Sequence, residues 1–129
     1  MSALCSEADC VFCKILAGKI PADVVYEDEH VLAFKDIQPM APVHILVIPK
    51  THIATLNDLD AAPENGAAIE AVMKAARPVA EAVGVAEEGY RVFFNVGAGA
   101  GQVVFHVHMH LIARGNLREI VSNLADAEG

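Results

Sequence analysis

The residues best suited to do chemistry sit in one run, His106-Val107-His108-Met109-His110-Leu111-Ile112, where polar and apolar side chains alternate. This period of two predicts a half-buried strand with every second side chain on one face. The three imidazoles then form a row, each step ~6–7 Å along the strand, while Val107, Met109 and Leu111 face a core. Imidazole titrates near neutrality, donates and accepts hydrogen bonds, ligates metals and serves as a nucleophile. Three histidines at alternate positions are poor strand formers whose ring nitrogens all need partners if buried. A chemical site explains them better than packing does.

Directly before this run lies Asn95-Val96-Gly97-Ala98-Gly99-Ala100-Gly101-Gln102. Three alternate glycines let the backbone approach an anion and present N–H groups without interference from Cβ. The loop is therefore a candidate phosphate cradle, with Gln102 placed to orient a water or a phosphoryl oxygen. A second constellation is the C-x-x-C of Cys10 and Cys13 at the start of a short helix, a spacing that suits metal ligation. Zinc takes four ligands, and His52 and His106 are candidates for the other two; a redox pair or a chance spacing are the alternatives. Cys5 reads as a simple N-terminal thiol, and His30, in a turn, as a solvated surface residue.

These groups must be positioned by the surrounding elements. Cys10 to Ala17 reads as a short helix ending at Gly18, a natural residue for the position after a helix. Val24 to Glu27 and Val31 to Asp36 form a hairpin turning through residues 28–30. A proline-containing loop, Ile37 to Pro42, leads into a buried apolar strand from His44 to Pro49. One long helix follows, with Asp60 available as its cap and Pro63 in its first turn. Ile69, Val72, Met73, Ala76, Ala80 and Val83 recur at helical spacing, Pro78 kinks the pattern, and Gly84 closes it. Tyr90 to Val96 and Val103 to Ile112 are the last two strands. Five strands with hairpin-like connections predict an α+β fold: an antiparallel sheet covered by a helix.

Composition narrows the possible partners. The 129 residues fit one domain with its own core, and a polar C-terminal segment, ending Ala125 to Gly129, is expected to fray. A net charge of −8 leaves no basic footprint for nucleic acid or an anionic membrane. An acidic chain that binds an anion needs local devices such as imidazoles and backbone N–H groups. No apolar stretch reaches the ~18–20 residues that span a bilayer, and Met1 to Cys10 lacks a signal-peptide core. A cytoplasmic protein with reduced thiols is the expectation.

The run HVHMHLI resembles the His-φ-His-φ-His-φ-φ signature of the histidine triad (HIT) family. The segments CVFCKILAGKIP, VYEDEHVLAFKDI and HILVIPKTHI agree, as does the loop from Asn95 to Gln102. The likeness covers about residues 10 to 114 and is nearest to the Hint branch of nucleoside phosphoramidases. Transferase-type relatives carry Gln at the third triad position, so His110 favours hydrolysis. The resemblance implies an α+β fold with a five-stranded antiparallel sheet, one long helix and a short N-terminal helix. It also implies a homodimer sharing one continuous sheet.

By the same resemblance, His108 matches the nucleophile that forms a nucleotidyl-histidine intermediate at the α-phosphate. His110 matches the residue that binds phosphate oxygens, and His44 matches a fourth histidine that orients the nucleophile. Asp36 matches the residue that hydrogen-bonds ribose. Ile37 and Leu46 match the lining of a purine pocket, and Asn95, Gly101 and Gln102 the phosphate loop. Cys10, Cys13, His52 and His106 match the ligands of a structural zinc, and no organic cofactor is implied. Two departures stand out. Val103 replaces a serine whose hydroxyl reaches the phosphate and the leaving group, and the C-terminal segment from Gly115 lacks a tryptophan-containing tail. The alternatives are a weakly active or non-catalytic nucleotide-binding scaffold, a dinucleoside polyphosphate hydrolase, and a metalloenzyme whose triad itself holds a catalytic zinc.

Overall fold

The computed structural model describes residues 9–118; the expectations for Cys5 and for the C-terminal tail fall outside them. Five strands, β1 (Val24–Glu27), β2 (Val31–Lys35), β3 (Val43–Pro49), β4 (Arg91–Phe93) and β5 (Met109–Ala113), form one antiparallel sheet. Their spatial order is β1-β2-β3-β5-β4. The helices are α1 (Val11–Leu16), α2 (Pro63–Lys74) and α3 (Ala76–Ala82). The expected α+β fold is therefore present, with α2 and α3 together making one long bent helix.

The period of two along β3 divides the molecule. Ile45 and Val47 point to one face with Val31, Ala33, Met109, Leu111 and Ala113. There they pack against Val72, Ala75, Val79 and Ala80 of the bent helix region and against Val85. Leu46 and Ile48 point to the other face, where Leu32, Phe34 and Phe12 of α1 cover them. His44 and His110 belong to this second face, since His44 stands opposite Ile112 and Leu46 opposite His110. A slip of one residue would exchange the faces and send both histidines under the helices.

Several elements differ from the sequence reading, each for a visible reason. The helix breaks at Ala75, three residues before Pro78. The Pro78 ring has no N–H for the carbonyl of Lys74 and crowds it, so the chain resumes only with Val79 N donating to Ala75 O at 2.9 Å. The N-cap of α2 is Ala62 rather than Asp60. Asp60 lies in a preceding 3-10 segment, Leu56–Ala61, whose capping box is formed by Thr55 and Asp58. Met73 was expected on the core face, but it is 60% exposed; the buried stripe passes instead through Ile69, Val72, Ala75, Val79 and Ala80.

The histidine strand is shorter than expected. Only Met109–Ala113 pairs with its neighbours, and all five residues are buried rather than alternately exposed. Val107 N instead donates to Ile53 O at 2.7 Å, and its side chain packs with Ile53 and Ile69. This draws the segment carrying His106 and His108 away from the sheet. β4 stops at Phe93, opposite His110, and the expected strand through Val96 has no paired residues beyond it.

Replacing buried Leu111 with alanine is expected to cost about 2–5 kcal/mol, whereas Met73→Ala should change stability by less than ~0.5 kcal/mol. Urea midpoints of the two variants check this placement; similar losses would contradict it.

Candidate active site and metal centre

The short helix α1 starts at Cys10, whose Sγ accepts from Cys13 N at 3.4 Å. It ends in a Schellman turn, with Gly18 N donating to Ile15 O at 3.0 Å and Lys19 N to Lys14 O at 2.8 Å. The turn needs Gly18 in the left-handed region at φ +78°. This compact helix lays Phe12 on the sheet and the two cysteines beside the segment before β5. Phe12 meets the rings of His106 and His108 edge-on, with centroids 5.8 and 5.2 Å away.

Cys10, Cys13, His52 and His106 come together, with their ligand atoms all within 4.8 Å of one another. His106 Nδ1 is 3.5 Å from Cys10 Sγ and 3.8 Å from Cys13 Sγ, and His52 Nδ1 is 3.4 Å from Cys13 Sγ. A tetrahedral zinc at its usual bond lengths spaces sulfur and nitrogen ligands ~3.3–3.8 Å apart, and these three separations match that spacing; Cys13 is disulfide-bonded here, so the set would hold the ion with that sulfur reduced to a thiolate. His106 Nε2 lies 2.9 Å from Pro49 O. A carbonyl only accepts, so Nε2 carries the proton. Burial pushes the His106 pKa down to about 4, helped by the nearby imidazoles of His52 and His108 and opposed by the Pro49 bond. The neutral ring then presents a bare Nδ1 to the cluster while its other nitrogen is held by a backbone carbonyl, as is common for metal-binding histidines.

The other histidines are set by the same logic with different results. His108 Nδ1 is 2.9 Å from His106 O, so Nδ1 carries the proton. Burial lowers the pKa of His108, leaving Nε2 with a free electron pair. His44 Nδ1 accepts from Met40 N at 3.1 Å, which forces its proton onto Nε2. That proton is donated to His110 Nδ1 at 2.9 Å. His110 must therefore carry its own proton on Nε2, and that buried nitrogen has no partner among the described residues. Burial, reinforced by His108 and His44, pushes the His110 pKa down to about 3. The His110 ring is held flat on Phe93, with centroids 4.6 Å apart and planes at 6°, and lies 4.9 Å from the His108 ring. An electron-pair donor and an unsatisfied N–H donor thus stand side by side.

Both rings line a cavity of about 660 Å³ together with Asp36, Ile37, Leu46, Gly101 and Val103, a volume in the small-molecule range of ~300–1,000 Å³. The sequence reading missed Phe12, Ile15 and Phe34, which form its apolar wall. The signal available was Phe12 and Ile15 at helical spacing, together with the inward period of β2. Asp36 Oδ1 accepts from Gln38 N at 2.9 Å, and Oδ2 lies 3.4 Å from His44 Nε2. His44 is buried behind His110, and its pKa is lowered by burial against the opposing pull of Asp36.

The glycine loop is closed largely on itself. The N–H groups of Ala100, Gly101 and Gln102 bond to Gly97 O or Ala98 O, and Gly97 N bonds to Gln102 Oε1 at 2.8 Å. The Gln102 amide also donates to Ala54 O and Val104 O, at 2.8 and 3.0 Å. Gln102 is buried and closes the loop; its amide is spent on structure rather than offered to a phosphoryl oxygen. Asn95, half-buried, and Gln102, buried, are not among the cavity-lining residues, whereas Gly101 is. A catalytic metal on the triad itself is not favoured either. The three triad rings do not gather their nitrogens around one point among the described residues: His106 joins the cysteine cluster, while His110 groups with Asp36 and His44. His30 is exposed, as expected for a turn residue.

A sheet of this topology carrying this histidine array places the chain in a known class: it belongs to the HIT domain family, whose model matches residues 17–117. It is 46% identical over 102 residues to the purine nucleoside phosphoramidase of Escherichia coli K12, covering 79% of this chain and 84% of that protein. The HIT family hydrolase of Clostridium thermocellum is 46% identical with a TM-score of 0.81, covering 87% of this chain and 96% of the other. A zinc-bound histidine triad family protein from Mycobacterium smegmatis is 36% identical with a TM-score of 0.68, covering 92% and 97%. These relatives make the chain a HIT-family hydrolase. No helix among the described residues is long and apolar enough to cross a membrane.

The low pKa of His110 gives a stability prediction. Its unfolded value is about 6.5, so above that pH the buried neutral ring costs nothing in protonation. As pH falls below 6.5 the unfolded chain gains a proton that the folded chain refuses. Acidification from pH 6.5 to 5 should therefore remove about 2 kcal/mol through this residue alone. Urea unfolding across this range, compared with His110→Gln, should show that share of the slope missing in the variant; an unchanged slope would contradict it.

Proposed function

We propose that this protein hydrolyses purine nucleoside phosphoramidates or related nucleotide conjugates at the α-phosphate, through a covalent intermediate on His108. The observation that carries this reading is the buried, unpartnered Nε2–H of His110 beside an imidazole whose backbone bond frees its Nε2 electron pair. Burying an N–H without an acceptor costs about 1–3 kcal/mol, and a phosphoryl oxygen would relieve that cost. His108 Nε2 attacks phosphorus, the P–N bond breaks, and the amine departs after taking up a proton from solvent, which the hydrolytic water of the second step returns. His110 holds the charge developing on a non-bridging oxygen. Water then attacks the phosphorus, the P–Nε2 bond breaks, and the nucleoside monophosphate and free His108 are released. Asp36 is the group for the ribose hydroxyls. Ile37, Leu46, Phe12 and Phe34 are the apolar surfaces for the base.

Cys10, Cys13, His52 and His106 would hold a structural zinc, whose chemistry is to tie α1 to the segment before β5. The assembly is a homodimer, in keeping with the exposed edge that β4 presents with Val92, and the compartment is the cytoplasm. His108→Ala should lower turnover of adenosine 5′-phosphoramidate by about 10³-fold or more, while AMP binding by calorimetry changes only a few-fold. Near-normal turnover in that variant would overturn the assignment. Metal analysis of the purified chain should find close to one zinc per chain, and Cys10→Ser should lose it together with several degrees of melting temperature.

A further inference from the structure

One proton stands between two acceptors at the back of the cavity. His44 Nδ1 is occupied by the Met40 amide at 3.1 Å, so the neutral ring has a single N–H, on Nε2. From that nitrogen His110 Nδ1 lies 2.9 Å away and Asp36 Oδ2 3.4 Å away. The sheet holds these groups together. Asp36 N donates to His44 O at 3.0 Å, one step beyond the paired residues Lys35 and Ile45, which fixes the carboxylate beside the ring. Its other oxygen, Oδ1, accepts from Gln38 N at 2.9 Å. Lys35, the adjoining cation, is engaged with Asp23 at 3.5 Å and leaves the Asp36 charge to act on His44.

A committed hydrogen bond from a charged partner to a carboxylate is ~2.7–2.9 Å long, so at 3.4 Å Asp36 draws on the His44 proton without capturing it. Whatever share is drawn toward Asp36 is lost to His110 Nδ1, and the bond that sets the outward Nε2–H of His110 weakens. Asp36 lines the cavity, and Oδ2 is its oxygen left for a ribose hydroxyl, because Oδ1 already accepts from a backbone amide. A hydroxyl that donates to a carboxylate makes it a weaker base. We infer that Asp36 is a positioning residue that couples the two ends of the nucleotide: ribose binding at Oδ2 releases the His44 proton to His110 and so fixes the N–H that receives the phosphoryl oxygen. A nucleotide without its 2′ and 3′ hydroxyls leaves that proton shared. This rests on the phosphoramidase reading above and adds that the sugar acts on the chemical step as well as on affinity.

The test compares adenosine 5′-phosphoramidate with its 2′,3′-dideoxy counterpart on the full chain. Single-turnover rates at saturating enzyme separate chemistry from binding, and the dideoxy compound should lose about fivefold or more there, the lower end of coupling between two sites. In Asp36→Asn, which removes the charge, the two compounds should react at nearly equal saturated rates, with the melting temperature confirming that the variant folds. A second readout follows the relay with no phosphate present. The Nε2–H proton resonance of His44, identified by its loss in His44→Gln, should shift with adenosine and much less with 2′,3′-dideoxyadenosine at equal occupancy. Equal shifts from the two nucleosides, or a dideoxy loss confined to affinity, overturns the coupling while sparing the phosphoramidase reading. Failure to cleave either compound overturns that reading, and the resonance comparison then decides the coupling by itself.

Discussion

The site depends on a short relay of hydrogen bonds that begins at a backbone amide. Met40 lies between Pro39 and Pro42, which have no N–H to give, and its own N–H is donated to His44 Nδ1. That one bond dictates the tautomer of His44, and through the His44–His110 bond it dictates the tautomer of His110. Reverse the first bond and the donor facing the cavity becomes an acceptor, which would repel a phosphoryl oxygen. Burial makes the relay decisive, because lowered pKa values keep the rings neutral. A protonated imidazole would carry hydrogens on both nitrogens and lose the directionality.

The division of the sheet into two faces supplies the rigidity that this relay requires. Ile45 and Val47 are locked under the bent helix, so His44 and Leu46, alternating with them, have no freedom to rotate away. β5 repeats the device, with Met109 and Leu111 fixing His110 between them. On the second face Phe12 joins the metal-ligand cluster to the reactive pair, since its ring touches both His106 and His108. Loss of the cluster would therefore reach His108 through α1.

Much of this was legible in the sequence because it follows from period. The apolar, β-branched run of β3 and the alternation in HVHMHLI marked the strands, and the spacing of Cys10 and Cys13 marked the cluster that His52 and His106 complete. Pro78 announced the bend. What escaped notice depends on long-range partners. The capture of Val107 by Ile53 shortened the histidine strand, and no local signal in residues 103–108 reveals Ile53. The same holds for Gln102, whose side-chain partners at Ala54 and Val104 turned an expected phosphate contact into a loop clasp. Met73 fits the helical period, yet the break at Ala75 re-aims the buried stripe past it.

His106 and His108 show how little separates the proposed metal ligand from the proposed nucleophile. Both are neutral, His106 is buried and His108 half-buried, and each gives its ring proton to a backbone carbonyl. His106 gives it through Nε2 to Pro49 and so offers Nδ1, the nitrogen nearer its own backbone, to the cysteines. His108 gives it through Nδ1 to the carbonyl of His106 and so offers Nε2, the nitrogen at the tip of the ring, to the cavity. The bend before β5 makes the difference, because it brings the His106 carbonyl back within reach of the ring two residues on. A straight strand would have left the two imidazoles equivalent. The shortened strand is thus the feature that gives the histidine run two different chemistries.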